Sequence, residues 1–267
     1  MIKLLKNVVK KNLPLWYLNQ PGIIFGYNKK KIKKLKNKFE GQRCFILGNG
    51  PSLNKMDLSK LDNESSFAVN GIFYKTEEMG YKPTFYVVED GAVMNDNKKK
   101  INQFKCEYNF FPSIYKKDIK NRENTFFFNM DRSFYEKRSS YFEIPRFSPE
   151  CSDRIFCGQS VTIVNLQLAY YLGFKEIYLI GMDFNYDIPD SLKIDGHVFE
   201  STEDDVNHFH PDYFGKGKKW HDPKLHNVLK SYKMAKLMFE LDGRNIYNAT
   251  EGGKLEIFDR VNYNSLF

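Results

Sequence analysis

Short apolar runs of strand length, each stopped by glycine or a polar residue, recur along this chain. Cys44 to Leu47 runs into Gly48-Asn49-Gly50-Pro51-Ser52, Ser66 to Val69 ends at Asn70, and Thr84 to Val88 ends at Glu89-Asp90-Gly91. Lys175 to Ile180 ends at Gly181-Met182-Asp183, and Arg244 to Asn248 leads into Ala249-Thr250-Glu251-Gly252-Gly253. Two longer segments have a helical pattern. Val161 to Leu172 is apolar on most faces, with Ser160 at its start and Gly173 as its stop. Leu225 to Leu241 is expected to place Val228, Leu229, Tyr232, Ala235, Met238 and Phe239 on one face and ends at Asp242-Gly243. From Asp96 to about Pro149, a segment that includes a Phe-rich patch at Thr125 to Asn129, the pattern blurs, and the reading there is one more strand, not placed, plus an insertion. The pattern predicts an α/β protein with a mostly parallel sheet over residues 41–267, a basic extension at 1–40 and a lid at about 187–223.

Composition narrows this. With 267 residues, 42% hydrophobic and 16% aromatic, the chain can bury a sizeable core and is unlike a disordered sequence. Much of the net charge of +8 lies in the first 43 residues, including KKKIKKLKNK at Lys29 to Lys38. Nucleic acid is not expected as a partner, because that basic run lacks interleaved aromatics on a sheet and sits outside the predicted core. Two readings of the extension stand: a basic, aromatic-tipped segment resting on an anionic bilayer surface, or a solvated basic helix packed on the core. Cys44, Cys106, Cys151 and Cys157 form no Cys-x-x-Cys pair, and no signal peptide is evident, so reduced buried thiols in a cytoplasmic protein are expected. No apolar run approaches the roughly 18 residues of a membrane span.

The candidate chemistry lies at the strand ends and in the lid. Paired glycines after a strand let the backbone turn and approach a ligand, and exposed amides there suit anionic oxygens. The spacing Gly-x-Gly-Pro-Ser is neither the dinucleotide fingerprint nor a Walker loop. Ligands of parallel sheets bind beyond the carboxyl ends of strands, so Asn49, Asn70, Glu89 and Asp90 are expected to face one crevice, with Ser160 and Asp183 beside it. The lid carries four of the five histidines, His197, His208, His210 and His221, among several aspartates. Zinc ligation is the weaker reading, since neither a helical His pair nor a Cys pair joins them. A histidine held among aromatics suits deprotonation of an acceptor hydroxyl.

LGNGPSL, FAVNGIFY, LGFKEIYLIGMDF and the downstream histidine-tyrosine segment together resemble the bacterial sialyltransferases of the Campylobacter lipooligosaccharide type. They equally resemble the wider 6-hydroxymethylpterin pyrophosphokinase-like superfamily, which includes the motility accessory factors. The resemblance spans Arg43 to Phe267 with a diverged middle, and the closing NATEGGKLEIFDRV is closer to the wider group. It implies a single Rossmann-like domain and inverting, metal-independent transfer from a CMP-activated sugar, a sialic or related nonulosonic acid, to a glycan or glycolipid hydroxyl. No further cofactor is implied. Asn49 and Gly50 carry over for the nucleotide loop, with Asn70 and Ser160 around the donor; Gly48, Pro51, Ser52, Asp90 and Asp183 join the candidate nucleotide site from the strand-end reading. His208 or His210 carries over as the base, and Tyr213 and Tyr186 as partners of the leaving phosphate. Where the sialyltransferases have an aromatic, this chain has Asn185, with Tyr186 one place later. A different class is a pyrophosphokinase with magnesium on Glu89, Asp90 and Asp183, and a third is a non-enzymatic nucleotide-binding assembly factor. Peripheral membrane attachment and homo-oligomer formation are left open.

Overall fold

The computed structural model describes residues 28–267 apart from 75, 77, 189, 190, 196 and 197. The amphipathic pattern over Met1 to Asn12 and His197 lie outside the described residues.

β1 (Arg43–Leu47) sits inside a sheet of eight described strands, and every pairing in that sheet is parallel. From β1 the chain steps outward through β2 (Ser66–Val69), β3 (Phe85–Val87), β4 (Tyr108–Pro112) and β5 (Thr125–Phe128). A two-strand parallel pair follows, β6 (Met130–Asp131) with β7 (Ile155–Phe156). The chain then returns to the other side of β1 with β8 (Glu176–Ile180), which pairs Cys44 with Ile177 and Ile46 with Leu179. Beyond it lie β12 (Asn245–Asn248) and β13 (Asp259–Arg260). Strand order therefore reverses between β1 and β8. In open α/β sheets such a reversal leaves a crevice at the carboxyl ends of the two strands.

The strands are continuous apolar runs because both faces of the sheet are covered. Cys44 and Ile46 pack on one face with Val164 and Leu168 of the helix Val161–Leu172 and Phe239 of the helix Leu225–Leu241. Phe45 and Leu47 pack on the other face with Val93, Met94 and Ile101 of the helix Gly91–Gln103. In chain order these helices are α2 (Gly91–Gln103), α3 (Val161–Leu172) and α4 (Leu225–Leu241), preceded by the short α1 (Lys29–Lys33). Local chemistry sets their ends: Ser160 Oγ accepts from Thr162 N, and Gly173 takes φ +96° at the stop of α3. All four cysteines are buried free thiols. Among the described residues no helix is long and apolar enough to cross a membrane.

Two expectations change. Residues 28–40 were expected to belong to an extension, but they pack into the core. Ile32 and Leu35, three apart within the lysine run, are buried, and Phe39 stacks on Phe174 at 5.0 Å. Asn28 is tied to Phe127 by both its backbone N and its side-chain oxygen. The charge of the run had hidden its apolar spacing. The blurred middle holds two strands of the main sheet, β4 as well as the Phe-rich β5. Tyr-Asn-Phe-Phe-Pro gave no turn signal to set β4 apart.

The lid region is more ordered than a long loop. β9 (Lys193–Asp195), β10 (Val198–Glu200) and β11 (Lys219–His221) form a three-stranded antiparallel sheet. The loop between β10 and β11 carries His208 and Tyr213 down to the end of β1, where Phe209 N donates to Asn49 O at 2.9 Å and Asn54 Nδ2 donates to Phe209 O at 2.9 Å.

Candidate functional site

A cleft of about 200 Å³ opens at the reversal point, lined by the ends of β1, β2, β3 and β8, the starts of α3 and α4, and the lid. It draws together Gly48, Asn49, Gly50, Asn70, Asp90, Ser160, Asp183, Tyr186, His208 and Tyr213. Pro51, Ser52 and His210 are not among its lining residues.

The glycine loop differs in role from the expectation. Three of its amides are turned to the neighbouring loop rather than to a ligand: Gly48 N donates to Ile180 O, Gly50 N to Gly181 O, and Ser52 N to Asp183 Oδ1. Ser52 Oγ also donates to Asp183 Oδ2 at 2.7 Å. A Cβ on Gly50 would overlap the Asp183 carboxylate and lie 2.8 Å from the Gly181 carbonyl. One on Gly48 would overlap that carbonyl and lie 2.8 Å from Met182 Sδ. The glycines therefore let two strand-end loops meet face to face. Asp183 is held by Ser52 as the fastener of that contact.

The asparagines present acceptors instead. Asn49 Nδ2 donates to Tyr213 OH at 2.8 Å and to Val69 O at 3.2 Å. Asn49 Oδ1 and Asn70 Oδ1 are buried in the cleft wall without a hydrogen-bond partner. Asn70 holds φ +48°, so this residue type fits its left-handed turn at the end of β2. Buried acceptors without donors are unfavourable unless a ligand or water supplies them.

His208 is the most strongly organised ionisable group in the cleft. Its Nδ1 lies 2.7 Å from Asp205 Oδ2, and the two side chains are 9% and 4% exposed. Burial works against ionisation of Asp205, yet the His208 ring and the amides of Asn207 and Phe214 hold its carboxyl below the usual range. An ionised Asp205 accepts from Nδ1–H, leaving Nε2 as the ring nitrogen with a free lone pair. The ring stacks on Tyr213 at 4.2 Å and 6°, with Phe214 and Tyr186 edge-on at 5.2 and 5.9 Å. Burial pushes the hydroxyls of both Tyr213 and Tyr186 up. His210 is turned away, stacked on Tyr74 at 5.2 Å with its Nδ1 accepting from Asp212 N. The two histidines left open by the sequence are thus separated.

The opposite wall is acidic. Burial, with Asp90 alongside, pushes Glu89 up to about 7. Asp90 caps α2 by accepting from Ala92 N at 2.7 Å and Val93 N at 2.9 Å, and its other oxygen lies 3.4 Å from His221 Nδ1. Burial opposes ionisation of Asp90 too, but the His221 and Val93 contacts bring it below its usual value. The Asp90 contact raises His221 in turn. Glu89, Asp90 and Asp183, the three carboxylates named for magnesium, are engaged separately. Among the described residues no three His, Cys, Asp or Glu side chains converge as metal ligands.

Sequence reasoning missed the partner roles of Asp205 and His221. Asp205 stands three residues before His208, a spacing too common to signal a pair without the turn that closes it. Asp90 and His221 are far apart in the chain and meet only across the cleft.

Fold and site together define a Rossmann-like α/β protein with a ligand-sized cleft at its reversal point and a histidine–aspartate pair opening into it. Residues 24–189 match the family model described as 6-hydroxymethylpterin diphosphokinase MptE-like, and the chain belongs to that family. No curated protein matches the chain. Among solved structures, the MAf glycosyltransferase from Magnetospirillum magneticum AMB-1 is similar in fold, with a TM-score of 0.50 at 15% identity. The alignment covers 91% of this chain and 39% of that one, so the chain spans well under half the length of that protein.

Proposed function

We propose that this chain is a glycosyltransferase of surface glycan synthesis. It moves a sugar, a nonulosonic acid such as sialic acid, from a CMP-linked donor to a hydroxyl of a glycan or glycolipid, by inverting displacement without a metal. The observation that carries the reading is the Asp205–His208 pair, buried, oriented and open to the cleft at the reversal point. His208 Nε2 takes the acceptor proton while Asp205 stabilises the imidazolium that forms. The unpartnered oxygens of Asn49 and Asn70 receive donor groups of the nucleotide sugar. The N-terminus of α3, with Ser160 at its cap, supplies the positive dipole end for the phosphate. A single phosphate suits this cleft, because Glu89, Asp90, Asp183 and Asp222 line it and no lysine or arginine is among its described lining residues. The fold likeness to a glycosyltransferase supports the class.

The family description favours a second reading, magnesium-dependent diphosphate transfer. The separate engagement of Asp90 and Asp183 speaks against the carboxylate set it would use. Thermal shifts against CMP, CDP, UDP, GDP and ATP, followed by transfer assays with and without EDTA, test the proposal. A melting rise with CMP and EDTA-insensitive transfer are expected. Activity abolished by EDTA and restored by magnesium overturns the metal-free scheme. The cytoplasmic face of the membrane is the proposed place of action, tested by liposome flotation of the full chain against a chain starting at Asn28, which keeps the buried Ile32 and Leu35; equal partitioning removes the idea.

A further inference from the structure

The cleft holds a second histidine–aspartate pair, and the first does not explain it. Asp90–His221 repeats the arrangement of Asp205–His208: Nδ1 turned to a carboxylate that backbone amides already hold, and a ring that lines the cleft. The surroundings differ. His208 is enclosed by aromatic rings, whereas the His221 side chain is 56% exposed. The groups that face His221 are Asp90 and Glu89 from the end of β3 and Arg132 from the segment after β6, and Asp90 dominates in favouring the protonated ring. His221 also stands next to the helix ends expected to hold an anion. Gln159 Nε2, just ahead of the α3 cap, donates to Asp222 O at 3.1 Å, and Pro223 and Leu225 lead into α4.

An inventory of charge then singles it out. A departing phosphate gains charge and needs a proton or a cation. The described lining residues offer no lysine or arginine, and burial makes the Tyr213 hydroxyl a weaker acid. Tyr186 is made a weaker acid by burial as well. His208 has to be neutral to act as base.

We propose that His221, positioned by Asp90, is the general acid of the reaction, facing the leaving phosphate while His208 faces the acceptor. The assignment rests on the glycosyl-transfer reading above. As the acceptor oxygen bonds to the anomeric carbon, the bond from that carbon to the phosphate oxygen breaks. The acceptor proton passes to His208 Nε2, and His221 Nε2 gives its proton to the phosphate oxygen. The two rings finish with their protonation states exchanged and reset through solvent. Two like groups in different surroundings thereby divide acid and base work.

The test is the pH profile of kcat with CMP-sialic acid as donor, in the full chain and in His221→Gln and Asp90→Asn. In the parent the alkaline limb reports His221. His221→Gln is expected to lose about 100-fold in kcat and the alkaline limb, with the CMP thermal shift retained. Asp90→Asn keeps the helix cap, since Asn caps about as well as Asp, and moves the alkaline limb to lower pH. It therefore decides the matter even where His221→Gln folds poorly. An active parent whose alkaline limb is unchanged in both variants overturns the acid assignment and leaves glycosyl transfer standing. A parent with neither a CMP shift nor transfer from any nucleotide sugar overturns both.

Discussion

Replacing Gly50 by alanine tests whether the cleft floor is a loop-to-loop contact rather than a ligand cradle. The new Cβ would sit where the Asp183 carboxylate now lies and 2.8 Å from the Gly181 carbonyl. Asp183 has to leave, and it gives up Ser52 Oγ at 2.7 Å and Ser52 N at 3.2 Å. Hydrogen bonds to a charged group contribute about 1.5–3 kcal/mol each, and with both at the low end their loss costs about 3 kcal/mol. The contact with the Gly181 carbonyl adds about 1 kcal/mol, so Gly50→Ala costs about 4 kcal/mol and, for a chain of this size, lowers Tm by about 8–16 °C. Asp183→Ala removes the same two bonds without the clash and costs about 3 kcal/mol. In the double variant the carboxylate is already gone, so the added alanine meets only the Gly181 carbonyl and the total is about 4 kcal/mol. Urea denaturation of the four proteins closes the cycle, with a coupling of about 3 kcal/mol. Additive losses would refute the reasoning, because they would mean that Gly50 and Asp183 do not share a space. A mild Gly50→Ala effect on stability with complete loss of nucleotide binding would return the loop to a phosphate cradle.

Three further outcomes are expected. Asp205→Asn leaves the CMP thermal shift in place and lowers kcat for transfer by about 100-fold or more, since the imidazolium loses its counter-charge; unchanged kcat would remove Asp205 from the mechanism. Glu89→Gln stabilises the protein at pH 8 by up to about 3 kcal/mol and has little effect at pH 4. The sign follows because burial raises Glu89 to about 7 in the folded chain, so the folded state holds that proton more tightly and stability falls as pH rises from about 4 to 7. Urea midpoints at the two pH values measure it, and a loss of stability at pH 8 would contradict it. Ile32→Ala costs about 2–4 kcal/mol by thermal melting, because Ile32 is 1% exposed inside the core, whereas Lys33→Ala on the exposed face changes little.

β1, β2, β3, β8 and β12 were legible because a parallel sheet covered on both faces leaves apolar runs punctuated by glycine or a polar residue. The ends of α3 were legible for a local reason as well, a serine cap and a left-handed glycine. β4 was not, since nothing separates Tyr108–Pro112 from its flanks except its place between β3 and β5. The lysine run showed its charge and concealed Ile32 and Leu35. In the cleft, residue types at strand ends could be listed from the sequence, but not which amides were already taken. That depended on β8 lying against β1, a pairing between residues more than 130 apart. The choice between His208 and His210 turned on a single turn of backbone that puts one ring over Tyr213 and the other over Tyr74.

The two histidine pairs are anchored differently. Asp205 and His208 belong to one segment and move as a unit, so the base keeps its orientation wherever that segment goes. Asp90 belongs to the sheet and His221 to β11, so their contact exists only while the antiparallel cap is seated on the parallel sheet. One pair keeps its internal geometry and the other is assembled by docking. On the proposed assignments, a donor that entered before the cap was seated would meet neither ring in place, because the loop that brings His208 to the end of β1 belongs to the same cap, so seating the cap would deliver base and acid together.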